Sequence, residues 1–129
     1  MPGHVETVST AAYLTVSKAG LRFIGLGEGA KRPTFTWNAT ASQIIVSGAN
    51  TAFDNMRFDF TGIDAVVAAV SITATDVSFT NCEVITNSAS AGVVLGFVTA
   101  ATATRFRFEN NFCYGAATNS GTTTAAVVK

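Results

Sequence analysis

Thr51-Ala52-Phe53-Asp54-Asn55-Met56-Arg57-Phe58 follows Ile44-Ile45-Val46-Ser47 across the turn residues Gly48-Ala49-Asn50. The stretch reads as short extended legs joined by a tight turn: a β-branched run, then Gly and Asn, then alternating apolar and polar residues. The frame recurs. Phe53 has counterparts in Phe23, Phe79 and Phe108, at successive spacings of 30, 26 and 29 residues. Two residues after these four stand Gly25, Asn55, Asn81 and Asn110, and seven residues before the first three stand Val16, Val46 and Ile72. Such a period, in a chain rich in Val, Thr, Ile and Phe, predicts a solenoid of stacked β-coils. Each strand then bonds to its equivalent one coil away, at about 4.8 Å.

The other coils read alike. The first runs Leu14-Thr15-Val16-Ser17, then Leu21-Arg22-Phe23-Ile24. The third runs Val70-Ser71-Ile72-Thr73, then Val77-Ser78-Phe79-Thr80-Asn81-Cys82-Glu83-Val84. The fourth runs Val93-Val94-Leu95-Gly96-Phe97-Val98, then Arg105-Phe106-Arg107-Phe108-Glu109, where the Phe and the charged residues alternate. Nothing reads as an amphipathic helix. Equivalent side chains should form ladders: Phe23, Phe53, Phe79 and Phe108 inside, and Gly25, Asn55, Asn81 and Asn110 at a bend. Asn suits a bend because it tolerates left-handed backbone angles and bonds to nearby backbone groups. Residues 1–115 are expected to form one domain of about four to five coils. Residues 27–33 and 87–92 read as loops. Residues 116–129 read as a small polar tail, flexible or adding an edge strand through Val127-Val128.

The chain has 129 residues, fit for one domain, and is 48% hydrophobic but only 12% charged. Eight basic and eight acidic residues cancel, so nothing marks a nucleic-acid or acidic-membrane partner. The first twenty residues hold His4, Glu6 and Lys18 and no continuous apolar stretch, so no signal peptide is expected and synthesis in a cytoplasm is. No segment approaches the roughly 20 apolar residues of a membrane helix; residues 65–70 read as a short buried strand at most. Cys82 and Cys113 are expected as reduced core thiols. They lie three and five residues after their Phe, an offset of about 7 Å along a strand that opposes a disulfide. No metal is expected, since His4 is the single histidine.

A stack of so few coils exposes strand edges and core at both ends, and no capping helix is legible. Unprotected edges invite association. Pro2-Gly3-His4-Val5-Glu6-Thr7-Val8, then Val16-Ser17-Lys18-Ala19-Gly20-Leu21-Arg22-Phe23-Ile24-Gly25-Leu26-Gly27, then Arg32-Pro33-Thr34-Phe35-Thr36, resemble the start of short right-handed parallel β-helix proteins encoded among tailed-bacteriophage structural genes. Val77-Ser78-Phe79-Thr80-Asn81-Cys82 and Phe106-Arg107-Phe108-Glu109-Asn110-Asn111-Phe112 resemble coils of the pectate-lyase-like superfold, which hosts many functions. The resemblance implies an all-β, right-handed parallel β-helix and a virion component: a capsid decoration protein or part of a tail fibre or spike. Such proteins usually carry residues before the Pro-Gly-His segment, whereas this chain starts there, as a short version or as a trimmed piece.

The same superfold includes polysaccharide lyases, which by that resemblance use clustered acids on calcium and a basic proton acceptor. Glycoside hydrolysis needs two carboxyl groups on one cleft, about 5–10 Å apart. The best pair here is Asp54 and Glu109, in an outward column Ile24-Asp54-Thr80-Glu109 and two coils, near 10 Å, apart. A solvated outer face beside Arg57 and Arg107 is the plainer reading. His4 and Glu6 face the same way on a strand and suit acid–base work; without a nucleophile or metal nearby they read as an end-face polar contact. Gly25-Leu26-Gly27-Glu28-Gly29 looks like a phosphate loop, but Pro33 opposes the helix that would hold phosphate. Lys31 and Arg32 are candidates for an acidic partner surface. Trp37, Tyr13 and Tyr114 are candidates for sugar stacking, with Trp37 set by alternation with Phe35 toward the core or an interface.

These readings lead to a non-enzymatic virion protein acting by self-association and docking, as a homo-oligomer with a trimer favoured, partnered by other virion proteins. Cofactor, metal, nucleic acid and membrane are not expected. The alternatives are a carbohydrate-binding or polysaccharide-cleaving tailspike-type β-helix, with a surface glycan as ligand, and a filament-forming solenoid.

Overall fold

The computed structural model describes residues 3–62, 66, 68–86, 95–114 and 126–128. The chain is a parallel β-solenoid with three flat faces. Face A stacks β1 (Val5–Val8), β4 (Thr34–Trp37), β7 (Arg57–Asp59), β10 (Glu83–Ile85) and β13 (Phe112–Tyr114). Face B stacks β2 (Leu14–Val16), β5 (Ile44–Val46), β8 (Val70–Ile72), β11 (Leu95–Thr99) and β14 (Ala126–Val128). Face C stacks β3 (Arg22–Ile24), β6 (Ala52–Asp54), β9 (Ser78–Thr80) and β12 (Arg107–Glu109). Every pairing is parallel. The coil count differs slightly from the one expected. Two faces still hold five strands, because winding begins on face A and ends on face B. A single turn of 3-10 helix, Gly29–Lys31, is the helical segment among the described residues, and none is long and apolar enough to cross a membrane.

The long leg of each sequence repeat divides in two, and the reason is local. The face C strands are bracketed by left-handed residues: Asn50, Asp76 and Arg105 before them, Asn55, Asn81 and Asn110 after, all with φ of 54–57°. Asn pays little in this region. The chain therefore bends at Asn55, and Arg57–Asp59 opens the next face instead of continuing the same strand. Gly25 departs from the expected Asn ladder. It is not left-handed. It is glycine because a Cβ there would lie 2.0 Å from the carbonyl oxygen of Asn55. The first turn leaves the stack at this corner, and the Asn55 amide follows it, donating to the carbonyls of Gly25 and Gly27 at 2.8 Å each.

The aromatic ladder forms where the register places it. Phe23 pairs with Phe53 and Phe53 with Phe79, and both ring pairs stack at 4.7 Å, close to the strand spacing. Phe79 and Phe108 are also in register, but here the ring stack breaks. Phe108 tilts against Phe97 at 5.2 Å, and Phe106 lies against Phe79 at 6.1 Å. Face A contributes Phe35, Phe58, Trp37 and the neighbouring Phe60, and face B Ile44, Val46, Val70 and Ile72, all buried. Cys82 is a buried free thiol, as expected. Cys113 is free but exposed, a correction to its reading as a core residue. Its partner in register is Val84, two positions beyond Cys82, which is the offset read from the sequence. The end of the tail forms edge strand β14 against β11. The loop at residues 87–92, Val93-Val94 and the rest of the tail lie outside the described residues.

Candidate functional site

The outer side of face C carries the polar columns. Register aligns Arg22, Ala52, Ser78 and Arg107 in one, and Ile24, Asp54, Thr80 and Glu109 in the other. The column expected to hold the carboxylate pair therefore exists, with Asp54 and Glu109 two strand spacings, about 10 Å, apart. Their surroundings differ. Asp54 is half-buried, and its Oδ1 accepts hydrogen bonds from Thr80 Oγ1 at 2.9 Å and Asn81 Nδ2 at 2.8 Å. Glu109 is exposed on the edge strand.

A depression of about 290 Å³ lies at the C-terminal end of this face, lined by Asp76, Val77, Ser78, Thr80, Arg105, Arg107 and Glu109. Asp54 does not line it; Thr80 stands between. The depression is polar and holds a fixed ion pair. The Arg105 guanidinium bonds the Asp76 carboxylate, and that hydrogen bond holds the Asp76 carboxyl below its ordinary range. Arg107 and Glu109 remain as groups of opposite sign toward solvent. Such a floor can hydrogen-bond hydroxyl or carboxylate groups of a ligand, but it does not bring Asp54 and Glu109 into one cleft.

The other candidates separate. Trp37 is 1% exposed and packs edge-on against Phe60 at 4.7 Å. It belongs to the core and presents no surface for a partner or sugar. Its alternation with the buried Phe35 carried that signal. Lys31 is exposed at the end of the 3-10 turn, and Arg32, half-buried, follows it. Both stay on the loop that leaves the stack between Gly25 and Thr34. The glycine run ends in that short turn, so no helix follows it.

His4 and Glu6 do meet, at 2.9 Å. Glu6 is in register with Phe35, an inward position, but in the terminal layer. There it also accepts a hydrogen bond from the Tyr13 hydroxyl. The bonds from Tyr13 and then His4 hold the Glu6 carboxyl below its ordinary value, and Glu6 raises that of Tyr13. The trio is a polar plug on the open end of the core. Tyr13 was missed as its third member because the two residues lie seven apart on different faces.

At the opposite end Phe112 and Tyr114 project from β13, with ring centroids 5.2 Å apart. Burial, then a hydrogen bond to Glu83, raises the Tyr114 hydroxyl above its ordinary value. Their alternation was visible in the sequence; their exposure was not. Among the described residues no three His, Cys, Asp or Glu side chains gather closely enough to hold a metal ion. Comparison of the chain with protein-family models, curated proteins and solved structures finds no match.

Proposed function

We propose that this solenoid is a non-enzymatic structural protein of a phage virion, a capsid decoration protein or a tail fibre or spike component, that acts by self-association and docking. One observation carries the docking part. The large exposed hydrophobic side chains among the described residues are Val5, Leu21, Ile24 and Leu26 in the first turn and Phe112 and Tyr114 in the last. The described residues of the middle turns contribute none. Both ends also present three edge strands, β1, β2 and β3 at one and β12, β13 and β14 at the other. Open ladders and apolar side chains in the same places favour association there. The virion assignment, with synthesis in the host cytoplasm and the pectate-lyase-like ancestry, rests on the resemblance of residues 2–36 and of the later coils.

Light scattering of the purified chain across concentration tests the reading. A closed oligomer of discrete mass supports it, open-ended growth favours the filament alternative, and a monomer at every concentration sinks self-association. The polar depression on face C keeps a second reading, glycan binding or cleavage on a tailspike-type surface. That reading requires polysaccharide binding or turnover that disappears in the Asp54→Asn, Glu109→Gln double variant.

A further inference from the structure

The C-terminal end of the solenoid is closed by nothing among the described residues. It consists of the edges of β12, β13 and β14. β12 is guarded by Arg107 and Glu109, the usual protection of an edge. β13 has no such guard. Phe112-Cys113-Tyr114 carries no charge and all of its side chains are exposed. Phe112 and Tyr114 point outward. Cys113, in register with the fully buried Val84, points toward the core at its open end. An uncharged edge of this kind is a template for another strand.

We infer that β13 pairs antiparallel with β13 of a second copy, about a two-fold axis passing midway between the two Cys113 residues. This rests on the self-association reading and names its interface. The shape of the stack fits this partner. Faces A and B hold five strands and face C four, so the end is a ramp, lowest at β12 and highest at β14. A two-fold axis that maps face A onto itself exchanges faces B and C. The low edge of β12 in each copy then meets the high edge of β14 in the other, and all three edges close at one strand spacing. Arg107 and Glu109 meet the uncharged Ala126-Val127-Val128 segment instead of their own kind. Head-to-tail stacking with like faces aligned lacks this fit. With β1 seated on β13, β3 comes to lie two strand spacings from β12.

Self-pairing of a three-residue strand about its centre sets each residue 113 opposite its copy. Antiparallel partners have Cα atoms about 4.5–5.5 Å apart, within disulfide range. Cys113 is therefore a reporter of the interface. Mild oxidation of the full chain with diamide, which takes up the two thiol protons and two electrons, should give a covalent dimer. Peptide mapping should locate the bond at Cys113 in both copies. Cys113→Ser should abolish the link and keep the dimer mass in solution. Phe112→Asp should weaken the dimer by about thirtyfold or more, and if that variant does not fold, the mapped disulfide decides alone. A discrete oligomer without the Cys113 link, such as a trimer, overturns the two-fold pairing and leaves self-association standing. A monomer at all concentrations overturns both.

Discussion

Phe79 shows how one residue type holds this fold. It is fully buried, stacked parallel on Phe53 at 4.7 Å and met edge-on by Phe58 at 5.6 Å and Phe97 at 4.8 Å. Phe79→Ala should cost about 3–5 kcal/mol in urea unfolding, because the flanking turns are tied by strand bonds and cannot collapse into the cavity. Phe23→Ala, at the half-buried end of the same ladder, should cost clearly less; equal losses would argue against a ladder anchored in the middle turns. Asn55 separates two contributions. Asn55→Ala loses a left-handed backbone preference worth about 1–2 kcal/mol and two hydrogen bonds worth about 1 kcal/mol each. Asn55→Gly retains the backbone freedom and should lose the hydrogen-bond part alone. Cys82 lies in the core, and burial pushes its thiol up to about 11. It should resist alkylation in the folded chain at neutral pH.

At the level of the elements, the corners carry as much information as the strands. The face C strands β6, β9 and β12 are each set between two left-handed residues. Gly25 marks the one corner built otherwise. Gly25→Ala drives a methyl into the Asn55 carbonyl, at 2.0 Å before relaxation, and should destabilise by about 1–3 kcal/mol. Two carboxyl groups at the strand connections and ends titrate with the fold. Tyr13 and His4 depress Glu6 from 4.5, and Arg105 depresses Asp76 from 3.8. A depressed carboxyl stabilises the fold above its unfolded value, and that stabilisation is lost as pH falls through the folded one. Thermal stability should therefore decline below about pH 4.5, and Glu6→Gln with Asp76→Asn should flatten the decline. An unchanged acid limb would remove both groups from the account.

For the whole molecule, the ends are the exception to a well-sealed stack. If association closes them, the melting temperature rises with protein concentration, since only the folded chain associates. A melting temperature independent of concentration over a hundredfold range of about micromolar protein would leave the ends open in solution. The middle turns should exchange their amide protons most slowly and, in the monomer, the end strands β1, β2, β3, β12, β13 and β14 fastest.

The sequence by itself determined the solenoid, the Phe ladder, the Asp54–Thr80–Glu109 column and the offset of the two cysteines. All four follow from a period in which every residue stacks on its equivalent one turn away, so spacing along the chain translates directly into register. Only the tertiary structure decided the division of the long leg into two faces, the burial of Trp37, the meeting of Glu6 with Tyr13 and the opening of β13. These depend on where the chain bends and on which layer lacks a neighbour. A repeat read along the chain says what stacks on what, but it carries no record of which turn stands at the end and is left facing water.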